Sequence, residues 1–295
     1  MAGQTILGFI GTGVMGEPMC RNLAQKSGAT VLAYDARKEP LQRLAEAGVK
    51  TAASVADIVT QAQVIFLCLP GEPQVREVFQ GPQGILAHVR AGQTLVDMST
   101  SPPKLAKELA EKLAAKGVAF ADAPVARTRE AAQTGTLSIM VGGDNAVVER
   151  IRPYLACMGS DVTHCGPVGA GEVVKLINNM IVCQNVVILA GALALGERSG
   201  IDGKLLLDTL SKGSSDSFAM RNHGMKSLLP QTYPERAFSV EYMLKDLGYA
   251  LDVAKQVGLK LKSAELAQSL YRRTVDAGHG EYYFPVVRRI IDAKK

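Results

Sequence analysis

The stretch ILGFIGTGVMGEPMCRNLA, residues 6–24, decides the fold. It opens with an apolar run of strand type and continues as an amphipathic helical pattern. Between the two lie Gly11, Gly13 and Gly16 in G-x-G-x-x-G spacing. The spacing alone is weak. A strand before it and a helix after it make it specific for a dinucleotide-binding turn. In such a turn Gly11 allows the tight bend, Gly13 lets the backbone approach a pyrophosphate, and Gly16 allows close helix–sheet packing. Val14 and Met15 complete the loop, and the helix start that follows offers N–H groups and partial positive charge to the phosphates.

Asp35 closes the next apolar run, TVLAYD (30–35), 24 positions after Gly11. An acidic residue there binds the ribose hydroxyls of NAD. Arg37 and Lys38 follow, so NADP use stays open, although a carboxylate beside a 2′-phosphate is repulsive. NAD is the expected cofactor.

Short apolar runs continue to alternate with helical patterns: QVIFLCLP (63–70), TLVDMS (94–99), VAFADAP (118–124), TLSIMVGG (136–143) and SDVTHCG (160–166). This alternation predicts βαβ units and a mostly parallel, doubly wound sheet, a Rossmann domain over residues 1–165. From Gly166 the strand signal stops. Residues 171–200 are apolar almost all round, which predicts a long helix buried between neighbours. Helical periodicity continues at 203–212, 217–228, 239–257, 263–277 and 283–292. An all-α domain is therefore expected over 166–295.

Composition narrows the function classes. A net charge of +5, from 33 basic and 28 acidic residues, comes with no basic run beyond the Lys294–Lys295 tail. Aromatic content is 5%, so nucleic-acid binding is not expected. No uninterrupted apolar run reaches about 18 residues, and the N-terminus lacks a basic leader, so neither a membrane span nor a signal peptide is expected. Five scattered cysteines read as reduced thiols in a cytoplasm, and no His or Cys spacing suits a metal.

GFIGTGVMGEPM (8–19), LP (69–70), VDMST (96–100), DAPV (122–125), GTLSIMVGG (135–143), GAGEVVKLINN (169–179) and KDLGYALDVA (245–254) together resemble the β-hydroxyacid dehydrogenase family. The match runs in order along almost the whole chain. The resemblance implies a Rossmann domain followed by a helical domain that also forms a homodimer or homotetramer interface. It makes Lys175 the catalytic lysine and Asn179 the asparagine that places substrate, with Asn178 assisting. Ser99 and Thr100 are implied to line the nicotinamide and substrate region. Leu69 and Pro70 flank the cofactor, and Lys245 with Asp246 closes over it.

The chemistry of these residues agrees. Lys175 and Asn179 stand four apart on one helix face. A lysine on an apolar helix is costly without a role or a partner, and a positioned lysine serves as general acid/base for carbonyl–alcohol interconversion. Ser99 and Thr100 also suit the cap of the helix that follows.

One loop departs from the family pattern. DAPV is usually followed by Ser-Gly-Gly, whereas this chain has Ala126, Arg127 and Thr128, then Arg129. Small–Arg–Thr–small resembles the sulfolactaldehyde reductase branch, from which this chain departs at the fourth position with the larger Arg129. Arg127 is accordingly expected to bind the distal anion of a small aldehyde or hydroxyacid, with Thr128 beside it and Arg129 at the rim. The expected activity is NAD-dependent interconversion of a short sulfonate or carboxylate aldehyde and its alcohol. Other semialdehyde reductions (tartronate, succinic, or methylmalonate semialdehyde as in 3-hydroxyisobutyrate dehydrogenase) fit the same site. An imine reductase or a non-catalytic dinucleotide-binding scaffold fits the architecture but not the retained lysine.

Overall fold

A computed structural model describes residues 5–235 and 237–293; the Lys294–Lys295 tail lies outside the described residues. The chain forms two compact units, residues 1–175 and 176–295.

The first unit is a nine-stranded sheet. Its strands are β1 (Ile6–Ile10), β2 (Thr30–Tyr34), β3 (Lys50–Thr51), β4 (Val64–Leu67), β5 (Thr94–Asp97), β6 (Ala119–Asp122), β7 (Val125–Ala126), β8 (Leu137–Gly142) and β9 (Gly159–Gly166). They run in the order β3-β2-β1-β4-β5-β6-β8-β7, with β9 paired to β8. The six strands from β3 to β6 are parallel, β8 is antiparallel to β6 and β7, and β9 is parallel to β8. This is the doubly wound order, with its reversal between β1 and β4.

Burial on both faces explains why the strands read as unbroken apolar runs. Leu7, Phe9, Val64, Phe66 and Val96 enter one core cluster. Their alternating neighbours Ile10, Ile65, Leu67 and Leu95 enter another. The strands β3 and β7, of two residues each, escape the sequence reading because so short a strand has no period to detect.

Helices dominate the second unit. The long helix, Ala170–Arg198, begins in the first unit and runs into the second. Helices Gly203–Leu210, Val240–Gln256 and Lys262–Asp276 follow the expected periodicity. The segment Met220–Leu228 is a π-helix, and the last expected helix is a 3-10 turn, Phe284–Val287, ahead of a short helix, Arg288–Ile291.

The long helix corrects one expectation. Cys183, Val186, Ala190 and Leu193 are buried in the second core, but Ile181, Ile188 and Leu195 are 49%, 66% and 70% exposed. Spaced seven apart, these three form an apolar stripe that the chain leaves open. The helix is also long and apolar enough to span a bilayer by length and composition alone, with a mean hydropathy of 1.8 over its most apolar window. Counting uninterrupted apolar runs overlooks it because Lys175, Asn178, Asn179, Gln184 and Asn185 break the sequence.

Asn22 clamps two helices of the first unit. Its amide donates to the carbonyls of Pro18 (3.0 Å), Ala132 (2.9 Å) and Gln133 (3.1 Å), tying helix Gly16–Lys26 to helix Arg129–Thr134. The side chain is buried. Asn22→Leu leaves buried carbonyls unsatisfied and is expected to destabilise the protein by about 1–3 kcal/mol. Urea unfolding followed by circular dichroism measures it, and an unchanged midpoint would show that the clamp contributes nothing.

Candidate active site

The glycine loop leaves the carboxyl end of β1. Gly11 takes φ +91°, and a Cβ there would meet the Cys68 carbonyl oxygen at 2.4 Å. A Cβ on Gly16 would lie 2.0 Å from the Gly11 carbonyl oxygen. These two glycines are required by the fold itself. Gly13 differs: a Cβ would meet nothing closer than the Arg37 guanidinium at 3.7 Å. The fold does not need a glycine there, so its bareness suits a ligand approaching from outside, as a pyrophosphate does. Val14 is exposed and Met15 half-buried at the entry to the helix.

Asp35 stands one strand away. Its Oδ2 accepts from the Thr12 amide (2.7 Å) and hydroxyl (3.2 Å). Its Oδ1 accepts from the Arg37 amide (2.9 Å) and Nε (3.1 Å). Burial pushes this carboxyl up, but the hydrogen bonds from Arg37 and Thr12 outweigh it and hold the group below the usual range. Asp35 is thus an ionised acceptor at neutral pH. Arg37, bound to it, is not a free cation waiting for a 2′-phosphate.

At the carboxyl ends of β5 and β6, buried side chains hold backbone amides. Asp97 accepts from the Ser99 amide (2.9 Å), and the Ser99 hydroxyl accepts from the Leu69 amide (2.9 Å). Ser99 is 2% exposed, so its hydroxyl braces the Leu69–Pro70 turn. Thr100 is half-buried beside it. Asp122, the last residue of β6, accepts from the Gly169 amide (2.7 Å) and the Glu172 amide (2.9 Å), and Glu172 accepts from the Ser101 amide (2.9 Å). One turn further along the helix is Lys175, 8% exposed.

In the second unit, Asn179 donates to Asp246 Oδ2 at 2.7 Å and accepts from the Asn178 amide at 3.0 Å. Asp246 is 1% exposed and receives the Lys245 ammonium at 3.1 Å. That ammonium also lies 5.6 and 5.5 Å from the ring centroids of Tyr242 and Tyr249, within cation–π range. The expected pair Lys245–Asp246 is therefore partly internal, with Asp246 anchoring Asn179.

Arg127 departs from its expected role. Its backbone takes φ +87°, the left-handed region that favours glycine. Its guanidinium donates to the Thr136 carbonyl (2.5 Å), the Ser160 hydroxyl (2.9 Å) and Asp161 Oδ2 (2.7 Å). The fork predicted to meet a substrate anion already meets a carboxylate of β9. The Thr128 hydroxyl accepts from the Ala131 amide and caps helix Arg129–Thr134. Arg129 is exposed near Glu17, whose carboxyl is held low chiefly by the hydrogen bond from Arg43, with Arg129 adding a smaller pull.

Sequence reading gave Asp97, Asp122 and Glu172 no role. The available signal was a carboxylate ending an otherwise apolar strand, in VDMS and AFAD, and one in the first turn of an apolar helix. Their partners are backbone amides, which no residue type announces.

Comparison with known proteins identifies the family. Residues 6–166 match the model for the NAD-binding domain of 6-phosphogluconate dehydrogenase. Residues 169–284 match the model described as NAD-binding of NADP-dependent 3-hydroxyisobutyrate dehydrogenase. The chain belongs to the β-hydroxyacid dehydrogenase family. It is 36% identical over 292 residues to the mitochondrial 3-hydroxyisobutyrate dehydrogenase of Mus musculus, covering 97% of this chain and 87% of that one. The NAD-dependent L-serine dehydrogenase of Pseudomonas aeruginosa is 33% identical, with 97% of each chain covered. Among solved structures, the 3-hydroxyisobutyrate dehydrogenase of Mycobacterium tuberculosis with L-serine superposes with a TM-score of 0.87 at 29% identity, over 99% of this chain and 100% of that one. The protein is an NAD(P)-dependent dehydrogenase acting on CH–OH groups.

Asp122 gives the site a pH signature. Burial raises its carboxyl to about 6, against the ordinary 3.8, and the amides of Gly169 and Glu172 only partly offset this. The folded state therefore binds a proton that the unfolded state has released, so the contribution of this group is full below pH 3.8 and is lost as pH rises through about 6. Wild type should lose stability relative to Asp122→Asn as pH is raised from about 4 to 7. Denaturant midpoints at several pH values measure this, and parallel profiles would refute it.

Proposed function

We propose that this dehydrogenase interconverts a short 3-hydroxy carboxylate and its aldehyde with NAD, using Lys175 as general acid/base. One observation carries the reading. Lys175 is a buried lysine on the helix whose start is bound to the carboxyl ends of β5 and β6, and the glycine loop leaves the same end of this sheet. Ligands of doubly wound sheets sit at that end. NAD, when bound, supplies or accepts the hydride. Lys175 donates a proton to the carbonyl oxygen in reduction and, as the amine, takes the hydroxyl proton in oxidation. Asn179, fixed by Asp246, presents a locked amide one turn beyond the lysine. Thr100 and Asn178 are the remaining polar groups assigned to orienting substrate. The ionised Asp35 favours NAD over NADP.

The relatives named for 3-hydroxyisobutyrate and L-serine act on carboxylates with a hydroxyl at the third carbon, which supports a carboxylate substrate here. Tartronate semialdehyde, whose alcohol also carries a hydroxyl at the third carbon, stays within the class; succinic semialdehyde, whose alcohol is a 4-hydroxy carboxylate, is one carbon longer. A sulfonate aldehyde is the weaker reading, because the Arg127 fork that suggested it is engaged by Asp161. The open stripe of Ile181, Ile188 and Leu195 supports a homo-oligomer.

Two experiments test the reading. Lys175→Ala should lower kcat by about 10²–10⁴ in NADH-linked reduction of methylmalonate semialdehyde while cofactor affinity survives; near-normal kcat in folded protein would remove the lysine from the mechanism. Arg127→Ala should change the relative kcat/KM for sulfolactaldehyde and the carboxylate semialdehydes by less than about threefold, as expected for a side chain in an exposed ion pair. Selective loss of sulfolactaldehyde reduction would restore the sulfonate reading.

A further inference from the structure

The start of the long helix is held unusually well. Gly169, at the turn into it, and Glu172, in its first turn, give their amides to Asp122 at 2.7 and 2.9 Å. Gly171 presses onto β8, where a Cβ would meet the Met140 carbonyl oxygen at 2.3 Å. The helix start is therefore fixed against the sheet by two hydrogen bonds and a backbone contact.

Glu172 then reaches from this fixed turn to the loop after β5. Its Oε1 accepts from the Ser101 amide at 2.9 Å. Two residues earlier in that loop, the Ser99 amide is held by Asp97 and the Ser99 hydroxyl holds Leu69. Glu172 is fully buried, as are Asp122, Asp97, Ser99 and Ser101. Fixing a backbone amide with a buried carboxylate is a costly way to secure a loop unless the geometry matters.

Glu172 and Lys175 stand three apart on the same helix and are surface neighbours on it. We propose that Glu172 is a positioning residue, whose hydrogen bond to the Ser101 amide sets the spacing between the Ser99–Thr100 loop and the amine of Lys175. The proposal rests on the assignment of Lys175 as acid/base. Misplacement of a reacting group by about 1 Å costs on the order of 10²-fold in rate, so this tie acts on the chemical step rather than on cofactor binding.

The test uses Glu172→Met, which fills a similar volume but accepts no hydrogen bond, and Glu172→Gln, which keeps a carbonyl acceptor for Ser101. Reduction of methylmalonate semialdehyde is followed with NADH and with 4-deuterated NADH, and cofactor Kd by fluorescence. Glu172→Met should lose about 10- to 100-fold in kcat, keep the cofactor Kd, and show a larger primary isotope effect as chemistry becomes limiting. Loss of folded enzyme alone would lower kcat without moving the isotope effect. Glu172→Gln should recover activity to within about threefold of wild type, as expected where the acceptor matters more than its charge. If Glu172→Met does not fold, Ser101→Pro removes the donor instead and is read by the same measurements. Unchanged kcat, an unchanged isotope effect, or a Gln variant no better than Met overturns the proposal. Lys175→Ala, run alongside, separates the two failures. If it stays active, the lysine assignment falls and this proposal with it; if it is inactive while Glu172→Met is intact, only the role of Glu172 falls.

Discussion

The first N–H groups of an α-helix have no partner within it. The long helix meets this requirement by using Asp122, a carboxylate from the end of β6, 47 residues before Gly169. That bond does more than cap a helix. It brings Lys175 to the carboxyl end of a sheet whose first turn is the glycine loop. It also fixes the turn from which Glu172 reaches the β5 loop. Without it, a helix leaving a strand edge has many orientations open to it, and the lysine would have no defined place relative to Ser99 and Thr100.

The parts of this arrangement legible in the sequence are those set by local periodicity and by space. Strands buried on both faces read as apolar runs, and β1, β2, β4, β5 and β6 were visible for that reason. Gly11 and Gly16 were legible because only glycine tolerates the backbone contacts they make. Lys175 stood out as a charge on an apolar helix. What stayed hidden depends on partners far apart in the chain. Nothing about Asp122 as a residue type announces that it binds the amides of Gly169 and Glu172. Nor does Ser99, read as a substrate-region hydroxyl, announce that it supports Leu69. The exposure of Ile181, Ile188 and Leu195 was hidden for a different reason: an apolar residue facing a core and one facing another molecule look the same in sequence.

The loop after β7 shows a residue type that suggests one partner while the fold supplies another. Arg127 occupies a left-handed backbone position, which costs a non-glycine residue roughly 1–2 kcal/mol. The family's usual loop carries a glycine there, which adopts that conformation freely. The arginine is retained there with three hydrogen bonds, to Thr136, Ser160 and Asp161. Those bonds offset the backbone cost and tie the loop to the start of β9. The partner needed to see this lies 34 residues away in an exposed segment, where sequence offers no reason to look. The same guanidinium cannot also stand as an unpaired fork for a substrate anion without first giving up Asp161. The substitution that reads as a change of substrate therefore acts, in the structure, on how the loop is held. Its backbone conformation matches the one glycine would adopt.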